Sequence, residues 1–232
     1  MVKPVGLMVT TGFLQRLPLT AALGLTLLAM LVVGCPDSKT VNPEPPAGYP
    51  TSPGSRWTYW AYDSLGQHGD TIDVEILEEL ATGYSGATSW TVHVHGGETY
   101  IGFLRGGTNL VEERGDSLLF YWVAMEPEPY PYLLFEFPLE TGRYWKLPPD
   151  AHVAYNDSTI VVGRDAIHTE AGFFPDAVLL RRQISWIDCA QVDELWFAAD
   201  VGVVGCRTVV SGLPCIEQTT TWELLSYDVD DE

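Results

Sequence analysis

One short motif places two potential metal ligands close together. His93 and His95 are separated by one valine, and residues two apart on a β-strand share a face. Both imidazoles could bind one metal ion if a third ligand, such as His152, His168 or an acid, came from a neighbouring strand. The spacing does not require such a ligand, and a solvent-facing histidine pair explains the motif without one. We therefore predict no metal and no cofactor.

A second motif is similar to part of a hydrolytic site. The sequence Gly-Asp-Ser-Leu at 115–118, taken with Asp165 and His168, mimics the nucleophile and Asp/His blocks of a lipase-esterase family. Such an enzyme needs its serine at the end of a buried parallel strand that opens a helix, beside oxyanion donors. Ser117 instead lies between two strand-like segments, where a hairpin turn is expected. We predict that the protein is not an enzyme and has no catalytic residues.

The elements that must position these side chains are short β-strands. Ile72, Val74 and Ile76 alternate with mostly polar residues, a period of two that indicates a strand with one wet face. Helical periodicity is confined to a short stretch around residues 78–81. No βαβ spacing is present, which favours antiparallel hairpins. We predict an all-β domain, or one with a single short helix, over residues 54–232.

The two parts of this domain repeat a pattern of turn, tryptophan and strand. The segment GSRW at 54–57 aligns with GRYW at 142–145 at an offset of 88 residues, and the same offset aligns Thr71, Ile72 and Val74 with Thr159, Ile160 and Val162. We interpret this as two similar halves, 54–125 and 142–228.

The first 35 residues indicate export. Lys3 and Arg16 precede an apolar stretch over 17–33, the arrangement of a signal peptide. The Val-Val-Gly that comes before Cys35 resembles the lipobox of bacterial lipoproteins, which implies cleavage after residue 34 and acyl chains on Cys35. Two or three such chains hold a protein on a membrane. An uncleaved membrane helix, or an ordinary signal peptide with an incidental cysteine, stays open.

A proline-rich tether and a strong negative charge follow. Residues 35–53 contain six prolines and cannot build a packed core. The formal net charge of the chain is −19, and removal of residues 1–34, with two cations and no acid, makes it more negative. Nucleic acid is therefore excluded as a partner. Pro36 stands where inner-membrane lipoproteins typically have aspartate, which favours the outer membrane or cell surface.

Three cysteines follow the anchor: Cys189, Cys206 and Cys215. Export places them in an oxidising compartment, where one disulfide and one free thiol are expected. The spacing does not decide the pairing. We favour Cys206 with Cys215, because only eight residues intervene and Gly212 and Pro214 can turn the chain.

The segment between the halves, residues 125–139, combines four prolines with many apolar side chains. The prolines keep it out of any central strand. We expect it either to plug the open side of the sheet as part of the core or to form a lid over an apolar groove. The candidate ligand-binding residues are Tyr130, Tyr132, Leu133, Leu134, Phe135 and Phe137.

Five blocks together resemble a large set of uncharacterised bacterial secreted proteins and lipoproteins with G-x-x-W half-domains. They are PGSRWTY at 53–59, PLETGRYW at 138–145, AGFFPDAVLL at 171–180, LWFAADVGVV at 195–204 and WELLSY at 222–227. Ala199 and Asp200 replace a Pro-Gly pair of that set. The resemblance implies a single strongly curved antiparallel sheet, a half-barrel or open barrel similar to the lipoprotein carriers of the cell envelope.

The expected function is that of a membrane-anchored envelope lipoprotein. We predict a non-enzymatic module that binds an apolar or lipid-like ligand. The alternative is a surface or envelope protein that binds a protein partner and has no small-molecule site.

Overall fold

The computed structural model describes residues 49–80, 89–96, 102–123, 130–147, 156–213 and 215–229. These residues form strands and contain no helix, so none that could span a membrane. The strands are β1 (Arg56–Tyr62), β2 (His68–Leu80), β3 (Ser89–His95), β4 (Gly107–Arg114), β5 (Ser117–Trp122), β6 (Tyr130–Glu136), β7 (Tyr144–Lys146), β8 (Asn156–Thr169), β9 (Gly172–Ser185), β10 (Ala190–Ala198), β11 (Gly202–Ser211) and β12 (Gln218–Asp228). The predicted signal peptide, Cys35 and most of the tether lie outside the described residues.

All twelve strands belong to one sheet. Their order is β6-β5-β4-β3-β2-β1-β12-β11-β10-β9-β8-β7, and every pairing is antiparallel. The first and last strands of the domain, β1 and β12, pair in the middle of the sheet, and β6 and β7 are its edges. The prediction of a single antiparallel sheet is confirmed.

The alternation of burial explains the strand pattern, and a bulge interrupts this pattern in β2. In β1, Trp57, Tyr59 and Ala61 are buried and their neighbours are more exposed. The pairing of β2 with β3 shifts register between Ile76 and Glu78, which breaks the period of two. This bulge lies where the sequence shows brief helical periodicity, and residues 78–80 continue β2 instead of forming a helix.

Aromatic packing holds distant strands together across the concave face. The ring of Tyr49, which precedes β1, lies 5.4 to 6.3 Å from the rings of Trp57, Phe120, Phe135 and Phe197. These four rings come from β1, from β10 and from the neighbouring strands β5 and β6, which are three separate places in the sheet order. Because one side chain contacts all four strands, the sheet must curve strongly around it.

Side chains rather than a strand ladder join the two edges. Trp145 of β7 donates its indole N–H to the carbonyl oxygen of Leu134 in β6 at 2.9 Å. Arg143 donates to the carbonyl oxygens of Phe137 and Pro138 at 2.6 and 3.1 Å. These donors occupy carbonyls of an edge segment that would otherwise be open to a further strand.

The two G-x-x-W turns make the same backbone hydrogen bonds. Each turn glycine has a positive φ, 95° at Gly54 and 86° at Gly142, a conformation that favours glycine. The N–H of each glycine donates to the carbonyl oxygen of a residue on the second strand after it, Ile76 of β2 for Gly54 and Val161 of β8 for Gly142. The N–H of that residue donates back to the carbonyl oxygen of the residue after the glycine, Ser55 or Arg143. This likeness is local, and the duplication of the whole domain stays a prediction.

Candidate functional site

The predicted ligand-binding segment forms edge strand β6 and its exit. Tyr132, Leu133 and Phe135 are buried, and Leu134 and Phe137 are partly buried against the core. The ring of Phe135 lies 5.7 Å from Phe120, and the ring of Phe137 lies 5.7 Å from Phe197. These contacts fit the core role that the sequence allowed for this segment.

Residues 125–129 and the side chain of Tyr130 lie outside the described part of the chain. Ligand binding by these six residues therefore stays a prediction.

A buried polar cluster lies beside the aromatic core, on the inner faces of β8 to β11. Arg182 donates to both carboxylate oxygens of Asp157, with Nε to Oδ1 at 2.9 Å and Nη2 to Oδ2 at 2.5 Å. Its Nη2 also donates to the carbonyl oxygen of Tyr132. The guanidinium thereby connects β8, β9 and the edge strand β6, and its side chain is only 6% exposed.

Asp193 is the second acid of this cluster and is completely buried. Its carboxylate accepts hydrogen bonds from Gln191 Nε2 at 2.8 Å and from Thr208 Oγ1 at 2.8 Å. A guanidinium nitrogen of Arg182 lies 3.6 Å away. The hydroxyl of Thr208 also lies 3.5 Å from the thiol of Cys206. Every polar group of the cluster thus has a partner, as buried polar groups require.

Burial and nearby charges shift the pKa values of these groups. Desolvation raises the pKa of Asp193, and the guanidinium of Arg182 offsets this only in part. Desolvation acts to lower the pKa of Arg182, but the hydrogen bonds and charge of Asp157 outweigh it and raise that pKa. Burial also raises the pKa of the Cys206 thiol. Because these groups are shielded from solvent, we assign the cluster a role in holding the strands together.

The titration of Asp193 gives a measurable pH dependence. The raised pKa means that this carboxyl favours folding most below about 3.9, the pKa of an unfolded aspartate, and that this contribution is lost as pH rises through the folded pKa. Relative to D193N, the wild-type chain should therefore gain free energy of unfolding as pH falls from 7 to 4. Urea denaturation across this range measures the difference, with D165N, at an exposed position, as the control. If the stability difference between the wild-type chain and D193N shrinks as the pH falls, the raised pKa of Asp193 is contradicted.

The two histidines of the first motif lie on β3, and His152, one of the possible third ligands, lies outside the described residues. Nδ1 of His93 is 3.4 Å from Nε2 of His95, and Nε2 of His93 is 2.7 Å from the hydroxyl of Thr108. Within the described ranges, no group of three His, Cys, Asp or Glu side chains could hold a metal ion. His93 is therefore oriented by Thr108 and its neighbouring histidine.

The Gly-Asp-Ser-Leu motif forms the β4–β5 hairpin. Arg114 pairs with Ser117 across the turn, and Gly115 has a φ of 59°. His168 lies on another hairpin, with its ring stacked on Phe173 at 4.2 Å. The hairpin turn expected from the sequence is confirmed, and it lacks the strand-to-helix elbow that a hydrolase serine needs.

The predicted disulfide between Cys206 and Cys215 is wrong. Cys215 is bonded to Cys189, with Cα atoms 5.9 Å apart, and Cys206 is a buried free cysteine. On β11, Cys206 points into the core with Val204 and Thr208, away from the hairpin tip that carries Cys215. Strand order brings Cys189 to that tip instead, because β10 and β11 are neighbours.

Four large apolar side chains lie almost wholly in solvent, and we name them the apolar tip surface. They are Leu65 (77% exposed), Ile187 (75%), Leu213 (85%) and Ile216 (84%). No other large apolar side chain in the described part of the chain is more than 53% exposed. Burial in a binding partner would remove this apolar area from water, which is favourable.

The apolar tip surface lies on three adjacent hairpin turns at one end of the sheet. These turns connect β1 to β2, β9 to β10 and β11 to β12, and their six strands are consecutive in the sheet. Neighbouring hairpins of such a sheet lie about 10 Å apart. The chain enters β1 at the other end, where Arg56 pairs with Asp228. The described chain therefore enters the sheet at the end away from the apolar tip surface.

Local contacts hold these turns in place. The Cys189–Cys215 disulfide joins two of them, and a Cβ on Gly212 would lie 2.3 Å from the carbonyl oxygen of Asp188. In the third turn, the carboxylate of Asp63 accepts hydrogen bonds from the backbone N–H groups of Leu65 and Gln67 at 2.8 and 2.9 Å. Because the turns are ordered before binding, a partner would lose little affinity to ordering them.

Pattern reading did not single out these four residues. Leu65 is the one apolar side chain of its turn, Ile187 follows Trp186, and Leu213 and Ile216 share a turn. Isolated surface hydrophobes are common. The sequence offered one signal for this surface, an isoleucine or leucine in a turn near a cysteine. This signal is informative only together with the strand order, which brings the turns to one end of the sheet.

Comparisons with solved structures give two matches. One is a "putative lipoprotein" from Parabacteroides distasonis, with 12% identity and a TM-score of 0.47 over 80% of this chain and 100% of that chain. The other is a "putative exported protein with YmcC-like fold" from Bacteroides fragilis, with 12% identity and a TM-score of 0.47 over 79% of this chain and 99% of that chain. No family model and no curated protein matches the sequence.

Proposed function

We propose that this protein is an exported lipoprotein of the cell envelope that binds another macromolecule through its surface and catalyses no reaction. The lipobox-like residues before Cys35 and the proline-rich tether over 35–53 support the anchor. Pro36 favours the outer membrane or cell surface. Two or three acyl chains at Cys35 would keep the domain on that membrane while the tether lets it reach outward.

The observation that carries this proposal is the distribution of apolar side chains. The concave face holds a cluster of rings around Tyr49, so this part of the interior is filled. The most exposed apolar side chains instead lie together at one end of the sheet. Exposed apolar groups that cluster on a surface are typical of interaction sites.

Binding of an apolar or lipid-like ligand is the competing proposal. Its candidate lid includes Tyr132, Leu133 and Phe135, which already pack into the core. A ligand under this segment would have to displace these side chains, at the cost of their packing. We therefore place the interaction role first.

Mass spectrometry of the full lipoprotein, purified from its own membranes, tests both parts of the proposal. Under denaturing conditions we expect a chain that begins at Cys35 and carries acyl mass. Under native conditions we expect no non-covalent lipid that is bound at one molecule per chain. An unacylated mature chain would refute the anchor, and a stoichiometric non-covalent lipid would refute the interaction role in favour of lipid binding.

A further inference from the structure

We propose that the apolar tip surface docks a protein partner whose apolar recess is bordered by basic side chains. This inference rests on the interaction role proposed above and assigns the surface and the class of partner. Leu65, Ile187, Leu213 and Ile216 supply the apolar contact. The acidic residues around these side chains determine which partners can bind.

The three turns that carry these side chains contain acids and no lysine or arginine. Their sequences are DSLGQ at 63–67, WIDC at 186–189 and GLPCIE at 212–217. Asp188 follows Ile187, Glu217 follows Ile216, and both acids are exposed. A partner must therefore accept an isoleucine and an adjacent carboxylate together. Lysine or arginine at the border of the recess meets that requirement and speeds association.

The same charges argue against two other occupants. Membranes rich in anionic lipid repel carboxylates, and burial of Ile187 or Ile216 in a bilayer would bring Asp188 or Glu217 to the head groups. A second copy of the chain would bring identical acidic turns together, and each chain carries a formal net charge of −19. Like charges at an interface oppose association.

The described residues that precede β1 lie away from the apolar tip surface. The described chain begins at Tyr49 and enters β1 at the end of the sheet opposite the apolar tip surface. The disulfide keeps two of its turns at a fixed separation.

Site-specific photo-crosslinking in the native host tests this proposal. The full chain carries benzoylphenylalanine in place of Leu213 or, as a matched control, in place of Phe173, an exposed aromatic position at the opposite end of the sheet. We expect one discrete protein adduct from position 213 and none from position 173. The adduct should fall at least about tenfold in D188K/E217K and in L65S/I187S. Its partner peptide should lie beside lysine or arginine.

Other results would overturn the proposal. An adduct with lipid alone would assign the surface to a membrane, and an adduct of twice the chain mass would assign it to a second copy. A protein adduct that survives D188K/E217K would refute charge selection. No adduct, or equal adducts from both positions, would refute the surface. The interaction role itself would still stand in that case if mass spectrometry found the acyl anchor and no bound lipid.

Discussion

Replacement of Arg182 by methionine is expected to lower the free energy of unfolding by about 3–5 kcal/mol. The guanidinium pairs with Asp157, lies 3.6 Å from Asp193 and donates to the carbonyl oxygen of Tyr132. Methionine fills much of the same space but leaves both carboxylates without their cation and the carbonyl without its donor. The cost is large because buried charges cannot turn to water for compensation. Urea denaturation of the two proteins measures it.

The neighbouring arginine provides the matched control. Arg181 precedes Arg182 on β9, points to the other face and pairs with Glu194 at 2.8 Å, but its side chain is 52% exposed. Ion pairs at such positions contribute at most about 1 kcal/mol, so R181M should change stability little. Similar losses in R181M and R182M would show that the buried network does not stabilise the sheet.

This pair also shows why the sequence predicted the strands better than the site. The Val, Leu and Ile residues of 178–184 indicate a strand, but two adjacent arginines obscure which of them faces inward. Arginine is almost never fully buried unless it is paired. The partners of Arg182 come from β8 and β10, so only the pairing of strands identifies the buried arginine.

At the edges of the sheet, prolines and turn residues predicted the structure more reliably than hydrophobic periodicity did. Prolines predicted that residues 125–139 could not form a central strand, and β6 is an edge strand with Pro131 within it. By contrast, the apolar and aromatic residues of ETYIGFL at 98–104 are typical of a strand. Residues 102–104 form no strand, and Phe103 and Leu104 are buried all the same. A loop that is buried against the core contains apolar residues, so its composition is similar to that of a strand.

The position of Gly102 explains why this loop can lie so close to the core. A Cβ at Gly102 would lie 2.2 Å from the indole ring of Trp222. The ring of Trp222 in turn packs 5.5 Å from Phe103 and 5.9 Å from Tyr59. The aromatic interior thus includes a loop that has no strand partner, and its packing depends on contacts that sequence periodicity does not encode.

Loss of the Cys189–Cys215 disulfide is expected to lower the free energy of unfolding by about 3 kcal/mol, because the cross-link restricts the unfolded chain. The two cysteines are 26 residues apart in sequence, which is long enough for a substantial entropic effect. Chemical denaturation of C189S/C215S against the wild-type chain measures the loss. The control is C206A, which removes a buried thiol but leaves the cross-link in place.

Thiol labelling of the unfolded, non-reduced protein checks the pairing independently. Peptide mapping should find the label on Cys206 in the wild-type chain and on both Cys206 and Cys215 in C189S. The folded wild-type chain should resist labelling, because Cys206 is buried and its pKa is raised by desolvation. Label on Cys189 in the unfolded wild-type chain would contradict the pairing.

The same variants connect stability to function, since two turns of the apolar tip surface lose their covalent link in C189S/C215S. The photo-crosslink from position 213 should weaken in C189S/C215S and persist in C206A.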